Sequence, residues 1–166
     1  MPQSGRALAI LISCLLIPAL SHAEDADKQE VAQELGAVLA WRLGPEAVEE
    51  KCRSADPAGA ETRKTALKGW LDKNAALIKT VDDRVAEVVP LVYSAPPNVD
   101  AVQSVRRQVK EIVLESIFSG KTPEESTAIC KAEADPASPR WNSPGMPQVP
   151  EALAALYDWK IKWGGK

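Results

Sequence analysis

The sequence predicts an all-α protein, a bundle of about five to six helices, and three observations carry that expectation. Apolar residues recur at spacings of three and four through every long segment, the period of one helix face. No segment shows the period-two alternation of a half-buried strand. Breaks rich in glycine, proline and short polar residues separate the segments, as at Gly44-Pro45, Ser94-Ala95-Pro96-Pro97-Asn98 and Ser119-Gly120.

The first 23 residues read as an export signal to be removed. Arg6 supplies a positive start, Ala7 to Ile17 a short and largely apolar run, Pro18 a break, and Ser21-His22-Ala23 small residues at the positions a signal peptidase reads. Removing 23 of 166 residues leaves a single helical domain, 24–166, of 143 residues. One base and no acid leave with the signal, so the formal charge moves from −3 to −4. The single-arginine signal and the alanine-rich body suit a bacterial periplasm. Leu11-Ile12-Ser13-Cys14 offers an alternative, a lipoprotein anchored through Cys14. The greasy stretch after Cys14, where such tethers are polar, speaks against it.

The domain's helices follow in order. Val31, Leu35, Val38, Leu39 and Leu43 mark a first helix, which Gly44-Pro45 is expected to stop. Pro45 then opens a short second helix, Glu46 to about Arg53, carrying Cys52. Asp56-Pro57 is a start signal, a capping oxygen followed by a proline with no donor to waste. The helix beyond it is the most regular in the chain. Leu67, Leu71, Asn74, Ile78, Val81, Val85, Val88 and Val92 form its heptad-like stripe, and Pro90 is expected to end or kink it near Val89. Val102, Val105, Val109, Ile112, Val113, Ile117 and Phe118 define a helix from about Val99 to Ser119, capped by Gly120. Thr122-Pro123-Glu124-Glu125 is a capping box opening a short helix that carries Cys130. Five prolines between Asp135 and Pro150 predict an irregular loop, 135–150, holding Trp141. Leu153, Leu156, Tyr157, Lys160 and Trp163 mark a last helix, Glu151 to about Trp163.

The cysteines and the missing histidine bound the chemistry. Removing the signal takes away His22, the only histidine, and Cys14, leaving Cys52 and Cys130. Two cysteines in an oxidising compartment are expected to pair. A Cys52–Cys130 bridge is worth roughly 4.5 kcal/mol in chain-entropy terms, an upper figure. A redox-active pair would need a C-x-x-C arrangement, which is absent. Without histidine there is no Ser-His-Asp or Cys-His nucleophile and no His-ligated zinc. No phosphate-binding loop, dinucleotide fingerprint or G-x-S-x-G elbow is present. The acidic balance gives no footprint for nucleic acid, and no further apolar run reaches the ~18 residues of a transmembrane helix.

Candidate sites remain. Asn74 interrupts an apolar stripe, so it either fixes register through a neighbouring backbone or, with Trp70, lines a small pocket. Tryptophan supplies five of eight aromatics. Trp141 reads either as an indole that anchors the proline-rich loop or, with Trp159 and Trp163, as part of a partner surface. Tyr157, Trp159, Lys160, Lys162 and Trp163 also fit a membrane interface, against terminal docking of the last helix. Asp82, Asp83 and Glu87 face a basic run, Arg106, Arg107 and Lys110, and these read as solvated faces that attract one another. The sequence thus predicts a non-catalytic exported protein with no cofactor or metal. It is expected to bind another envelope protein, as an immunity protein, inhibitor, adaptor or chaperone does. A small-molecule binder and a carboxylate-based hydrolase are the alternatives.

Overall fold

The computed structural model describes residues 24–93, 100–135, 137–138, 141 and 148–164, with side chains from Lys28 to Lys162. The expected export signal, with Cys14, lies outside the described residues, as do Pro136, Pro139, Pro144 and Pro147 of the loop and the side chain of Trp163. Among the described residues there are six α-helices and no strand. They are α1 (Glu24–Ala55), α2 (Ala60–Lys73), α3 (Ala75–Val92), α4 (Ala101–Phe118), α5 (Pro123–Glu133) and α6 (Gln148–Gly164), with one 3-10 turn, Pro57–Gly59, before α2. The all-α bundle is therefore observed, but several of its boundaries differ from those expected, two of them by joining or dividing helices.

The first difference is at Gly44-Pro45, which does not end a helix. α1 runs through it as one rod of 32 residues, about 48 Å long. Pro45 deprives the Trp41 carbonyl of its helical donor and costs roughly 3 kcal/mol in an isolated helix. Packing offsets that cost here. Leu43, Gly44, Pro45, Ala47 and Val48 are all buried, and the missing Cβ of Gly44 leaves its backbone facing Val113 of α4. α1 is the central element of the fold, touching each of the other five helices.

The second difference is at Asn74. The expected continuous helix is divided there into α2 and α3, because Asn74 leaves helical geometry (φ −104°, ψ 9°). Its backbone N–H and its Nδ2 both donate to the Trp70 carbonyl, at 3.0 and 2.8 Å. A short amide competes in this way with the helical ladder. Pro90 lies inside α3, which continues to Val92. The last helix starts at Gln148, ahead of Pro150, which its first turn accommodates.

Two expected caps appear as read. Thr122 and Glu125 form a reciprocal capping box at α5, with N–H to oxygen distances of 3.2 and 2.8 Å. Gly120, after α4, adopts φ +70°, the left-handed conformation glycine tolerates.

The main core lies where α1, α3 and α6 meet. Val31, Leu35, Val38, Leu39, Val81, Val85, Val88, Val89, Val149, Ala152 and Leu156 are buried in it. Trp41 and Trp70 join this core with ring centroids 5.1 Å apart and planes tilted by 54°, a favourable aromatic pairing. A smaller cluster sits at the far end of α1, where Val48, Cys52 and Cys130 are covered by Ala55, Ile117 and Phe118. The Cys52–Cys130 disulfide runs through it, with Cα atoms 5.2 Å apart, and staples α5 to α1.

Candidate functional site

The structure separates the candidate residues into buried and accessible groups. Trp141 is 6% exposed and belongs to the main core. Its indole N–H donates to the Glu133 carbonyl at 2.8 Å, tying the chain after α5 back to that helix. As placed, it offers no accessible contact to a partner. Trp70 is filled against Trp41, and the Asn74 amide is committed to the Trp70 carbonyl, so these two groups are already in protein contacts. Trp159 packs at the edge of the main core.

The accessible large apolar residues stand on α3 and α6, two helices that pack together. Leu91, Tyr157 and Ile161 are the large hydrophobics exposed among the described residues, at 41%, 48% and 61%. Tyr157 and Ile161 are one turn apart on the outer face of α6. Leu91 and Trp159 border a small depression completed by Lys28, Val88 and Val92. Charged groups frame the seam. The Arg84 guanidinium lies 4.7 Å from the Tyr157 ring centroid, and Lys162 covers the Trp159 ring at 4.9 Å. Glu87 takes Lys160 at 2.8 Å and Arg84 at 3.0 Å. The hydrogen bond from Lys160 holds the Glu87 carboxyl below the usual carboxylate range.

One pair joins the runs of opposite charge. Arg106 of α4 meets Asp82 of α3 at 2.9 Å, and Arg42 of α1 reaches the same carboxylate at 3.5 Å. The expected attraction between the acidic and basic faces is thus present. Asp83 is paired with Lys79. Among the described residues no cluster of three or more His, Cys, Asp or Glu side chains is placed to hold a metal ion. No described helix is long and apolar enough to cross a membrane.

Sequence reasoning missed Arg63 altogether. Its side chain is fully buried beside the disulfide. Nη1 donates to Asp56 Oδ2 at 2.6 Å and to the Cys130 carbonyl at 3.2 Å. Nη2 donates to the Asp56 carbonyl at 2.5 Å and to the Cys52 carbonyl at 3.0 Å. Asp56, expected to cap a helix, makes no side-chain cap bond, because its carboxylate neutralises this guanidinium. Arginine is ordinarily an exposed residue, and nothing in the helical period marks this one. The available signal was Gly59, midway between the two charged partners. A Cβ there would collide with Asp56 Oδ2 and Arg63 Nη1.

The two glycines of this region should therefore respond in opposite directions. Gly59→Ala is expected to lose about 1–3 kcal/mol through overpacking. Gly69, inside α2 with nothing within 4 Å of its would-be Cβ, is exposed. Gly69→Ala should gain about 0.5–1 kcal/mol from helix propensity. Urea denaturation of the two variants checks both signs.

Comparison of the chain with protein-family models, with curated proteins and with solved structures found no match.

Proposed function

We propose that the protein is exported to a bacterial periplasm and acts there without catalysis, by binding another envelope protein through the α3–α6 seam. The observation that carries this reading is that the exposed large hydrophobics, Leu91, Tyr157 and Ile161, all stand on α3 and α6, two helices that pack together, in a bundle whose central apolar residues are buried. Aromatic and aliphatic anchors ringed by charged groups are the composition of a binding hot spot. An exported location is supported by the signal-like residues 1–23 and by the disulfide, a bond that persists in oxidising compartments. An immunity protein, an inhibitor, an adaptor and a chaperone all fit this description.

A photo-reactive amino acid placed at Ile161 in the full-length protein, cross-linked in intact cells and followed by mass spectrometry, tests the reading. One dominant envelope protein should be captured, and Tyr157→Ala should weaken its capture while stability stays within about 0.5 kcal/mol. Labelling that is scattered among abundant proteins, or unchanged by Tyr157→Ala, would reject it. The same mass spectra locate the mature N-terminus. Glu24 fits signal cleavage, whereas an acylated Cys14 would make the protein a lipoprotein.

A further inference from the structure

The two half-cystines share one guanidinium as well as a bond between their sulfurs. Arg63 donates to the carbonyl of Cys52 from Nη2 and to that of Cys130 from Nη1, joining backbones 78 residues apart in sequence. We infer that the Arg63–Asp56 pair is a template for the disulfide, holding the two cysteines in register before they are oxidised.

Three observations support this. The bonds run to the main-chain carbonyls of the cysteines, so they do not depend on the state of the sulfurs. The guanidinium comes from α2, a third element, whereas the cysteines lie on α1 and α5, so docking of α2 brings the two together. A rigid planar fork can span two acceptors at once, which a lysine ammonium on its flexible stem does not reproduce. The site is also built around this fork. Asp56 gives its carboxylate to Arg63, Gly59 leaves the space, and Thr127 of α5 donates to the Ala55 carbonyl beside it at 3.1 Å.

Oxidation by a small-molecule disulfide then proceeds by exchange. One cysteine thiolate attacks the oxidant, forms a mixed disulfide and expels one small thiolate. The second cysteine thiolate attacks the mixed disulfide and expels the other. Two electrons pass from the cysteines to the oxidant, and the two cysteine protons end on the two released thiols. Arg63 takes no part in these bonds. It is a positioning residue that raises the effective concentration of one thiol at the other. By linkage, the closed disulfide favours the buried guanidinium by the same factor.

Glutathione equilibration of the mature chain measures that factor directly. The fraction of oxidised protein is read at a series of glutathione disulfide to glutathione ratios, after trapping free thiols. Arg63→Lys keeps the charge for Asp56 and loses the bridge between carbonyls. It should lower the effective concentration of the pair by about tenfold or more, the worth of charge-assisted hydrogen bonds. Asp56→Asn should act in the same direction. Val81→Ala, a core truncation in α3 away from the cysteines, is the control for lost stability and should leave the value within about threefold of wild type. Circular dichroism identifies variants that remain folded. An unchanged effective concentration in folded Arg63→Lys overturns the proposal. So does an equal fall in Val81→Ala, which would make the effect one of global stability. If Arg63→Lys folds only when oxidised, Val81→Ala decides: folding of that control in both states supports the coupling, and the same dependence on oxidation overturns the proposal. If it is unfolded in both states, folded Asp56→Asn decides by the same two criteria, and loss of fold in that variant too rejects a role confined to the cysteines.

Discussion

Asp56→Ala is expected to remove about 3–5 kcal/mol of folding stability, because it strands the Arg63 cation in a site from which water is excluded. The side chains of Arg63 and Asp56 are only 0% and 7% exposed, so solvent screening is small. The contrast with Lys68–Asp72 shows which effect decides. That pair has the same 2.6 Å separation, but its side chains are 76% and 66% exposed. Asp72→Ala should cost less than about 1 kcal/mol, since water replaces the lost partner. Equal distances therefore predict unequal losses, and burial is the reason. Urea denaturation of both oxidised variants, with unchanged slopes, measures the difference. Against a total stability on the order of 5–15 kcal/mol, the Asp56 loss brings a domain of this size close to the threshold of folding. A loss in Asp56→Ala no larger than that in Asp72→Ala would mean that the guanidinium finds water or another carboxylate when Asp56 is gone.

The buried pair also shows where a sequence stops being legible. Periodicity identified the helical stripe of α1 because burial of a face repeats at a fixed spacing, and Val31, Leu35, Val38, Leu39 and Leu43 are all buried as their spacing implies, whereas α6 buries Val149, Ala152 and Leu156 and leaves Tyr157 of its expected stripe exposed. Boundaries were less legible, because they are settled by competition. Pro45 reads as a stop by propensity, yet packing of Gly44 to Val48 carries α1 past it. Asn74 reads as one polar residue in a stripe, yet its amide turns toward Trp70 and divides the helix. One merger and one division leave the number of helices as expected, although several of the expected boundaries are displaced. The disulfide was legible by elimination, with two cysteines left after the signal. Arg63 was not, because its role depends on Asp56, Cys52 and Cys130 meeting in space, and no local pattern encodes that meeting.

The candidate surface divides in the same way. The last helix was expected to carry Trp159 and Trp163 as contact residues; Trp159 packs at the edge of the core, and the exposed large hydrophobics described on that helix are Tyr157 and Ile161. Leu91, from α3, comes beside Trp159 of that helix only through the packing of α3 on α6. The sequence places it one residue after Pro90, where it looks like part of a helix end.

Trp141→Ala is expected to lose about 3–5 kcal/mol and to lower the melting temperature by roughly 10 °C or more. Two terms add. Truncation removes a large apolar side chain from a site where it is 6% exposed, and it leaves the Glu133 carbonyl without the indole N–H that now lies 2.8 Å away. Trp141→Phe separates them, since it keeps most of the ring and loses the donor. Its cost should be nearer about 1–2 kcal/mol. A tryptophan serving as a partner contact would behave in the opposite sense, losing the complex while the melting temperature held. Trp141, which lies in helical geometry, is thus predicted to act as a clamp. The indole fixes the chain between α5 and α6, α5 is held to α1 by the disulfide, and α6 covers the α1–α3 core. If thermal unfolding of Trp141→Ala matches wild type within about 1 °C, the indole is not part of the packed core, and that connection is lost.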